Sequence, residues 1–418
     1  MSANLNASVW IDFGASSANN FIIEDPSGHS VLDSTTYTLA ASNWVDVTQY
    51  VSGQISTSRG RSREVDAYGA GTCSFQLRNE GRIFDPSNSS TTTPLTLRAE
   101  VYISIMVDGQ AVGIYDGFIE DFDISYEMPN TSIINVNCVD AFSVLSNVSL
   151  TGTPSTAGTT TSQAFIDAMV ATNVQLPYSA STGSTKVAGN TQSNVGLLDY
   201  IQTLARSEQG AVYVDQYGAI TFLGRHSTFG PSGLTFTDSQ SAIAADTSDS
   251  IFGYSTVSQR AASLLLFNTV TGTRTGGTLE TATDYNSQSL YMSRNLDLGT
   301  LENDTDADVL NLVNYVLGKY ATPELRFDAI SMEVQGLSHQ QVVNLAQLNL
   351  TATVPVTLTP GSGSAITRQC VIEGISWTLD ASSSSYRVSF NLGSADVRNF
   401  LILDDAVFGI LNTSKLDY

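Results

Sequence analysis

Asp116-Gly-Phe-Ile-Glu-Asp-Phe-Asp123 and Glu373-Gly-Ile-Ser-Trp-Thr-Leu-Asp380 follow one pattern: an acid, a glycine, an apolar residue, three residues, an apolar residue and Asp. Each is followed by a polar turn and a strand-like run. The runs are Ser132-Ile-Ile-Asn-Val-Asn-Cys-Val-Asp-Ala141 and Tyr386-Arg-Val-Ser-Phe-Asn-Leu-Gly-Ser-Ala395, in which Asn137 matches Asn391 and Ala141 matches Ala395. Two consecutive matches, each closing a domain-sized block, read as an internal duplication. The physical expectation is two similar β-barrels per chain. Gly117 and Gly374 are expected at equivalent turns, where a Cβ would obstruct the backbone conformation or a close approach. A duplicated barrel lets three copies of the chain present six barrels, so a trimer matches a six-fold ring.

The surrounding sequence supports a mainly β chain with an inserted α+β unit. Residues 1–150 alternate in short runs such as Thr72-Cys-Ser-Phe-Gln-Leu77 and Val101-Tyr-Ile-Ser-Ile-Met-Val107, broken by turn residues such as Asp108-Gly109. The small polar stretch 151–161 reads as a linker. Residues 151–233 then hold this linker and a small α+β domain. Its apolar residues recur at helical spacing at Ala164, Phe165, Ala168 and Met169, and again at Leu197, Leu198, Ile201, Leu204 and Ala205, the second helix capped by Ser193 or Asn194. Ala211–Val214 and Ala219–Leu223 flank Asp215-Gln-Tyr-Gly218 and predict a hairpin.

Residues 234–395 return to strands, for example Ser263-Leu-Leu-Leu-Phe267 and Ala329-Ile-Ser-Met-Glu-Val334, and form the second expected barrel. One helix, 304–320, interrupts them. Asp304 or Thr305 caps it, and Val309, Leu312, Val313, Val316, Leu317 and Tyr320 make its apolar stripe. Residues 396–418 form a C-terminal arm in which Phe400, Leu401 and Leu403 are apolar enough to seek an interface.

Composition excludes several functions. The chain carries 40 acidic and 18 basic residues, a net charge of −22. Binding nucleic acid through phosphates needs a basic stripe, and none is visible. An acidic wall would instead repel DNA and let it slide past. Cys73, Cys138 and Cys370 lie far apart without a CxxC pair and read as three reduced, buried thiols. The N-terminus has no basic region followed by an apolar run, and no apolar stretch is long enough for a membrane helix. Synthesis in the cytoplasm and no membrane partner are expected.

Enzyme chemistry finds no support. The histidines (His29, His226, His339) are scattered, and neither an HExxH motif nor a GxSxG elbow is present. Asp304-Thr-Asp306-Ala-Asp308 begins like a calcium loop, but Val309 stands where glycine is needed, and acids at a helix start serve its dipole. Asp121 and Asp123 share a strand face that reads as solvated. No catalytic residue, metal or cofactor is expected. Arg59, Arg61 and Arg63 would project from one face of an extended strand. They are read as an inter-subunit patch that meets carboxylates of an acidic neighbour.

Further motifs carry a resemblance. Trp44-Val-Asp-Val-Thr48, Arg59-Gly-Arg61, Leu77-Arg-Asn79, Gly81-Arg82 and Phe84-Asp-Pro86 are followed by Tyr115-Asp-Gly117, Val139-Asp-Ala141 and Leu197-Leu-Asp-Tyr200. Asn268-Thr-Val270 and Asp404-Asp405 complete the set. In order and spacing they resemble the baseplate hub proteins, or minor tail proteins, of long-tailed bacteriophages. The resemblance implies a homotrimer with two tube-protein-like β-barrels per subunit, forming a pseudo-hexameric ring at the tail tip of the virion. Such a ring joins the six-fold tail tube protein to a central three-fold spike or tail fibre. It is surrounded by distal tail or other baseplate proteins, and forms the channel for DNA ejection. A chain ending at Tyr418 implies the short form, without a C-terminal lytic domain. The competing readings are a distal tail protein, a tail-tip cell-wall hydrolase and a host-binding adhesin.

Overall fold

The computed structural model describes residues 3–14, 42–127, 131–227, 230–261, 263–361, 363–380 and 385–395. The fold is mainly β. Alternating apolar side chains make the N-terminal strands: β1 (Leu5–Asp12), β2 (Trp44–Asp46), β3 (Val51–Gly60), β4 (Gly69–Arg78), β5 (Glu100–Val107), β6 (Gln110–Glu127) and β7 (Thr131–Val139). In β5 every second side chain from Val101 to Val107 is buried, and in β1 Ala7, Val9 and Ile11 are. Asp108 and Gly109, with φ of 50° and 87°, join β5 to β6 as a two-residue hairpin turn. Cys73 and Cys138 face each other across β4 and β7, both buried as free thiols.

After α1 (Phe142–Leu145) come β8 (Ser149–Gly152), α2 (Thr161–Ala171), β9 (Tyr178–Ala180), β10 (Gln192–Gly196), α3 (Leu197–Glu208), β11 (Ala211–Val214) and β12 (Ile220–Leu223). Helices α2 and α3 bury the stripes read from the sequence. The expected cap at Ser193 or Asn194 is not there. Both belong to β10, which pairs with β8, and α3 starts from Gly196 without a side-chain cap. At the other end of α3, the buried Glu208 accepts hydrogen bonds from Thr161 Oγ1 (2.8 Å) and from the amides of Ser184 (2.9 Å) and Thr185 (2.8 Å). Burial alone would raise its pKa, but these donors and Arg225 hold it below the usual glutamate value.

The remaining elements are β13 (Thr235–Thr237), α4 (Gln240–Ala245), β14 (Ile251–Gly253), β15 (Thr256–Arg260), β16 (Thr269–Arg274), β17 (Glu280–Thr283), α5 (Tyr285–Tyr291), β18 (Asn295–Leu301), α6 (Asp306–Tyr320), β19 (Arg326–Glu333), α7 (His339–Ala346), β20 (Thr353–Leu358), β21 (Ile366–Asp380) and β22 (Ser385–Ser394). The expected strand at 263–267 is instead a 3-10 turn over Ser263–Leu265. Its run of leucines has strand composition but no alternation and no partner strand. Thr305 caps α6 by accepting from the Asp308 amide, and the helix packs on β16, β17 and β18 as a second core.

The strands outside the smaller sheets join one 14-stranded sheet. Within it, β3-β4-β7-β6-β5 and β15-β19-β22-β21-β20 run in the same order, all antiparallel. The two sets are joined where β3 pairs with β21. Both long hairpins carry a one-residue bulge on the first strand, at Glu120 in β6 and at Glu373 in β21. These bulges set the true correspondence. Asn137 sits opposite Asp121, and Asn391 opposite Gly374, so Asp121 rather than Gly117 is the counterpart of Gly374.

The expectation that Gly117 and Gly374 occupy equivalent turns is therefore corrected. Gly117 lies inside β6 opposite Val101, and Gly374 lies inside β21 between Asn391 and Gly60. Both are close-approach positions. A Cβ on Gly117 would fall 2.6 Å from the Val139 carbonyl oxygen, and one on Gly374 would fall 3.0 Å from that of Arg61.

Candidate assembly site

Two regions bear on assembly: the joint between β3 and β21, which holds the arginines that the sequence assigned to an interface, and the outer half of β6, to which the sequence assigned no such role. At the joint, β3 ends on Gly60, whose φ of 108° turns the chain out of the strand. Arg59 is thus the last arginine on the strand, and Arg61 and Arg63 follow in the loop. Arg59 is buried, with Nη1 donating to Asn349 Oδ1 (2.8 Å) and Nη2 to Gln216 Oε1 (2.9 Å). Burial pushes its pKa down to about 10, partly opposed by Tyr213 and Asp215.

Arg61 Nε donates to Glu373 Oε2 at 2.7 Å, and its guanidinium lies 4.4 Å from the centre of the Tyr68 ring. Burial by itself would lower the pKa of Arg61, but the adjacent Glu373 carboxylate raises it. Only Arg63 is open to solvent, where it grips Asp66 with two bonds of 2.7 Å. The three arginines do not form one outward face. Two of them hold the two halves of the same chain together, which corrects the reading of Arg59, Arg61 and Arg63 as a patch for a neighbouring subunit. The physical reason is the break at Gly60, which ends the alternation on which that reading depended. Phe400, Leu401 and Leu403, the other interface candidates, lie outside the described residues.

Beside the joint is a cavity of about 400 Å³, lined by Arg61, Tyr68, Arg206, Leu298, Lys319 and Tyr320 among others. Its cations are spent inside the protein. Its Lys319 reaches the buried Glu64 at 3.3 Å and its Arg206 Nη1 donates to the Leu298 carbonyl, while Arg326, outside the lining, reaches the same Glu64 at 3.2 Å. Glu64 also accepts from the Ser394 amide. This cluster packs the α6 region against the main sheet. Among the described residues, no group of three or more His, Cys, Asp and Glu side chains could hold a metal, and no helix is long and apolar enough to cross a membrane.

The outer half of β6 presents the opposite situation. Strand β5 leaves β6 after Phe118, so residues 120–127 pair only with β7. In β21 the corresponding segment, 374–380, receives β3. There Ile375, Trp377 and Leu379 are buried, whereas the counterparts Phe122, Ile124 and Tyr126 stay partly or largely exposed, Tyr126 at 56%. Strand β15 likewise pairs with β19 on one side only. Sequence reading missed both edges. The signal was present in the alternation Phe122-x-Ile124-x-Tyr126, and an alignment of Glu120 with Glu373 would have exposed it.

No protein-family model matches the sequence, and no curated protein matches it. The likeness lies in the fold. The 43 kDa tail protein of prophage MuSo2 from Shewanella oneidensis superposes with a TM-score of 0.56 at 13% identity, over 94% of this chain and 98% of that one. The tail protein from Neisseria meningitidis MC58 superposes with a TM-score of 0.55 at 11% identity, over the same shares of the two chains. The chain has the fold of these tail proteins.

Proposed function

We propose that the chain is a structural component of a phage-type tail, the hub at the tail tip. Three copies close a ring that joins a six-fold tail tube to a three-fold spike or fibre. The observation that carries this reading is the pair of strand sets in the same order, joined edge to edge at β3 and β21. A chain built this way offers two similar units, and three chains offer six, which suits a six-fold partner. The tail-protein fold, shared over nearly the whole chain, supports the setting. In this reading each strand set belongs to one tube-like barrel, within residues 1–150 and 234–395. Residues 151–233 form the inserted unit, and residues 396–418 act as an arm.

The proposed partners are the tail tube protein, distal tail or other baseplate proteins and the central spike or fibre. DNA passes through without specific binding, since the net charge of −22 repels phosphate. That repulsion reaches about 8–10 Å at physiological salt, so only residues lining the channel matter. The role is non-enzymatic. Counting copies in an imaged tail tests the proposal: three copies per tail support it, and six would overturn it. A peptidoglycan-degradation assay separates it from a tail-tip hydrolase, which would release soluble fragments.

A further inference from the structure

We propose that Thr256–Arg260 of one copy adds as an antiparallel strand to residues 121–127 of a second copy, repeating between chains the joint that β3 and β21 make within one. The inference rests on the ring reading above and names the surface that closes it. It follows from the two-fold use of one topology. In the first strand set, β3 is the end strand and β6 carries a free outer half. In the second, β15 is the end strand and the outer half of β21 is occupied by β3. One acceptor and one donor are thus satisfied inside the chain. The equivalent acceptor, β6, and the equivalent donor, β15, remain open among the described residues.

The register can be deduced. Ser74 of β4 and Ala329 of β19 sit opposite the matched asparagines Asn137 and Asn391. Ser56 pairs with Ser74 and Ser258 with Ala329, so Ser258 corresponds to Ser56. Within the chain Gln54 faces Asp380, Ser56 faces Thr378 and Ser58 faces Ser376. Carried over through the two bulges, Thr256 faces Glu127, Ser258 faces Ser125 and Arg260 faces Asp123. The last pair joins opposite charges at the position where, inside the chain, Ser376 Oγ donates to Ser58 Oγ at 3.1 Å. Directly opposed charges of this kind favour a cross-strand pair.

Charge also selects the partner. The open segment of β6 carries Glu120, Asp121, Asp123 and Glu127, which discourages two such edges from pairing with each other. Strand β15 carries one charge, Arg260, and it is positive. In the isolated chain Arg260 makes only a loose surface contact with Asp328 at 3.8 Å. Added to β6, β15 would also place Val257 beside Tyr126, as Ile55 lies beside Leu379 in the internal joint. Main-chain bonds to an open edge supply affinity, and the alternating side chains supply register.

Two variants of the full chain, each adding one surface cysteine to the three buried ones, test this: Asp123→Cys and Arg260→Cys. Mixed and oxidised, they are expected to give a disulfide-linked dimer that neither variant gives alone, while Ser125→Cys mixed with Arg260→Cys gives little. Separately, Arg260→Asp should weaken self-association by about tenfold or more, because like charges then face each other, and Asp123→Arg in the same chain should restore it. A trimer of correct mass without the 123–260 link would overturn this pairing while leaving the hub reading intact. Absence of any self-association, in solution or on the tail tube, would overturn both. Hydrogen-exchange protection in the monomer of those amides among 121–127 that point away from β7 would show that the edge is already filled within one chain, and would overturn the pairing.

Discussion

Arg61 and Glu373 lie 312 positions apart in sequence and meet at 2.7 Å in a buried ion pair that ties the first strand set to the second. The side chains are 12% and 2% exposed, so each charge depends on the other for its solvation. Tyr68 Oη adds a second bond to the same carboxylate oxygen, at 2.8 Å. The pair stands at the bulge of β21, one residue before Gly374, and therefore beside the strand joint.

Arg61→Ala should destabilise the chain by about 3–5 kcal/mol, because it removes the charge that lies 2.7 Å from the buried Glu373 carboxylate. Arg61→Ala with Glu373→Gln should recover part of that loss. Arg63→Ala, at the exposed end of the same loop, should leave the unfolding midpoint unchanged, since its pair with Asp66 is in solvent. Urea titration followed by fluorescence measures all three.

Gly60→Ala should cost about 3 kcal/mol or more, combining a positive φ with overlap in a packed joint. The added Cβ would lie 2.4 Å from the Glu373 carbonyl oxygen and 2.6 Å from Gly374 Cα, both backbone atoms. Gly53→Ala also has positive φ, 73°, but meets open space, and should cost only about 1–2 kcal/mol. Thermal unfolding of the two variants should rank them in that order.

Asp116 should make stability fall with rising pH. Burial, the nearby Glu100 and Asp215, and a hydrogen bond to Glu100 raise its pKa to about 7. The unfolded value is about 3.9, so the folded state holds the proton more tightly. Its contribution is full below about pH 4 and is lost as pH rises through about 7. Asp116→Asn keeps a donor toward Glu100 and cannot ionise. The variant should match the wild type at pH 4 and exceed its melting temperature at pH 8.

Thr305→Ala should cost about 1 kcal/mol, the usual value of a lost N-cap. Because α6 belongs to the second core, the loss should appear first as faster hydrogen exchange in α6 and β16–β18. Equal acceleration across β5 and β6 would show instead that the two cores unfold together.

The sequence was most legible where structure is local. Strand β5, the stripes of α2, α3 and α6, and the Asp215–Gly218 hairpin depend on neighbours within a few residues, and their spacing shows them. The repeated motif was also visible, but its register was not. A bulge adds one residue without changing composition, so aligning on Gly117 and Gly374 skipped the correspondence that Glu120 and Glu373 define. The arginines were misread for a related reason. Arg59 and Arg61 look solvated until Asn349, Gln216 and Glu373 arrive from distant parts of the chain. What closes a joint over such distances leaves no periodic trace in either segment.

The pairing of Gly60 with Gly374 also imposes an order of events during synthesis. About 310 residues separate the two, and a ribosome adding roughly 5–20 residues per second needs roughly 15–60 s to cover them. For that interval the nascent chain can complete β4 and its neighbours but must leave the other side of β3 unpaired. The N-terminal half therefore waits on the ribosome with an exposed strand edge beside those of other nascent chains. Glycines and serines along β3, which lacks a long apolar run, limit what such an edge can capture during the wait.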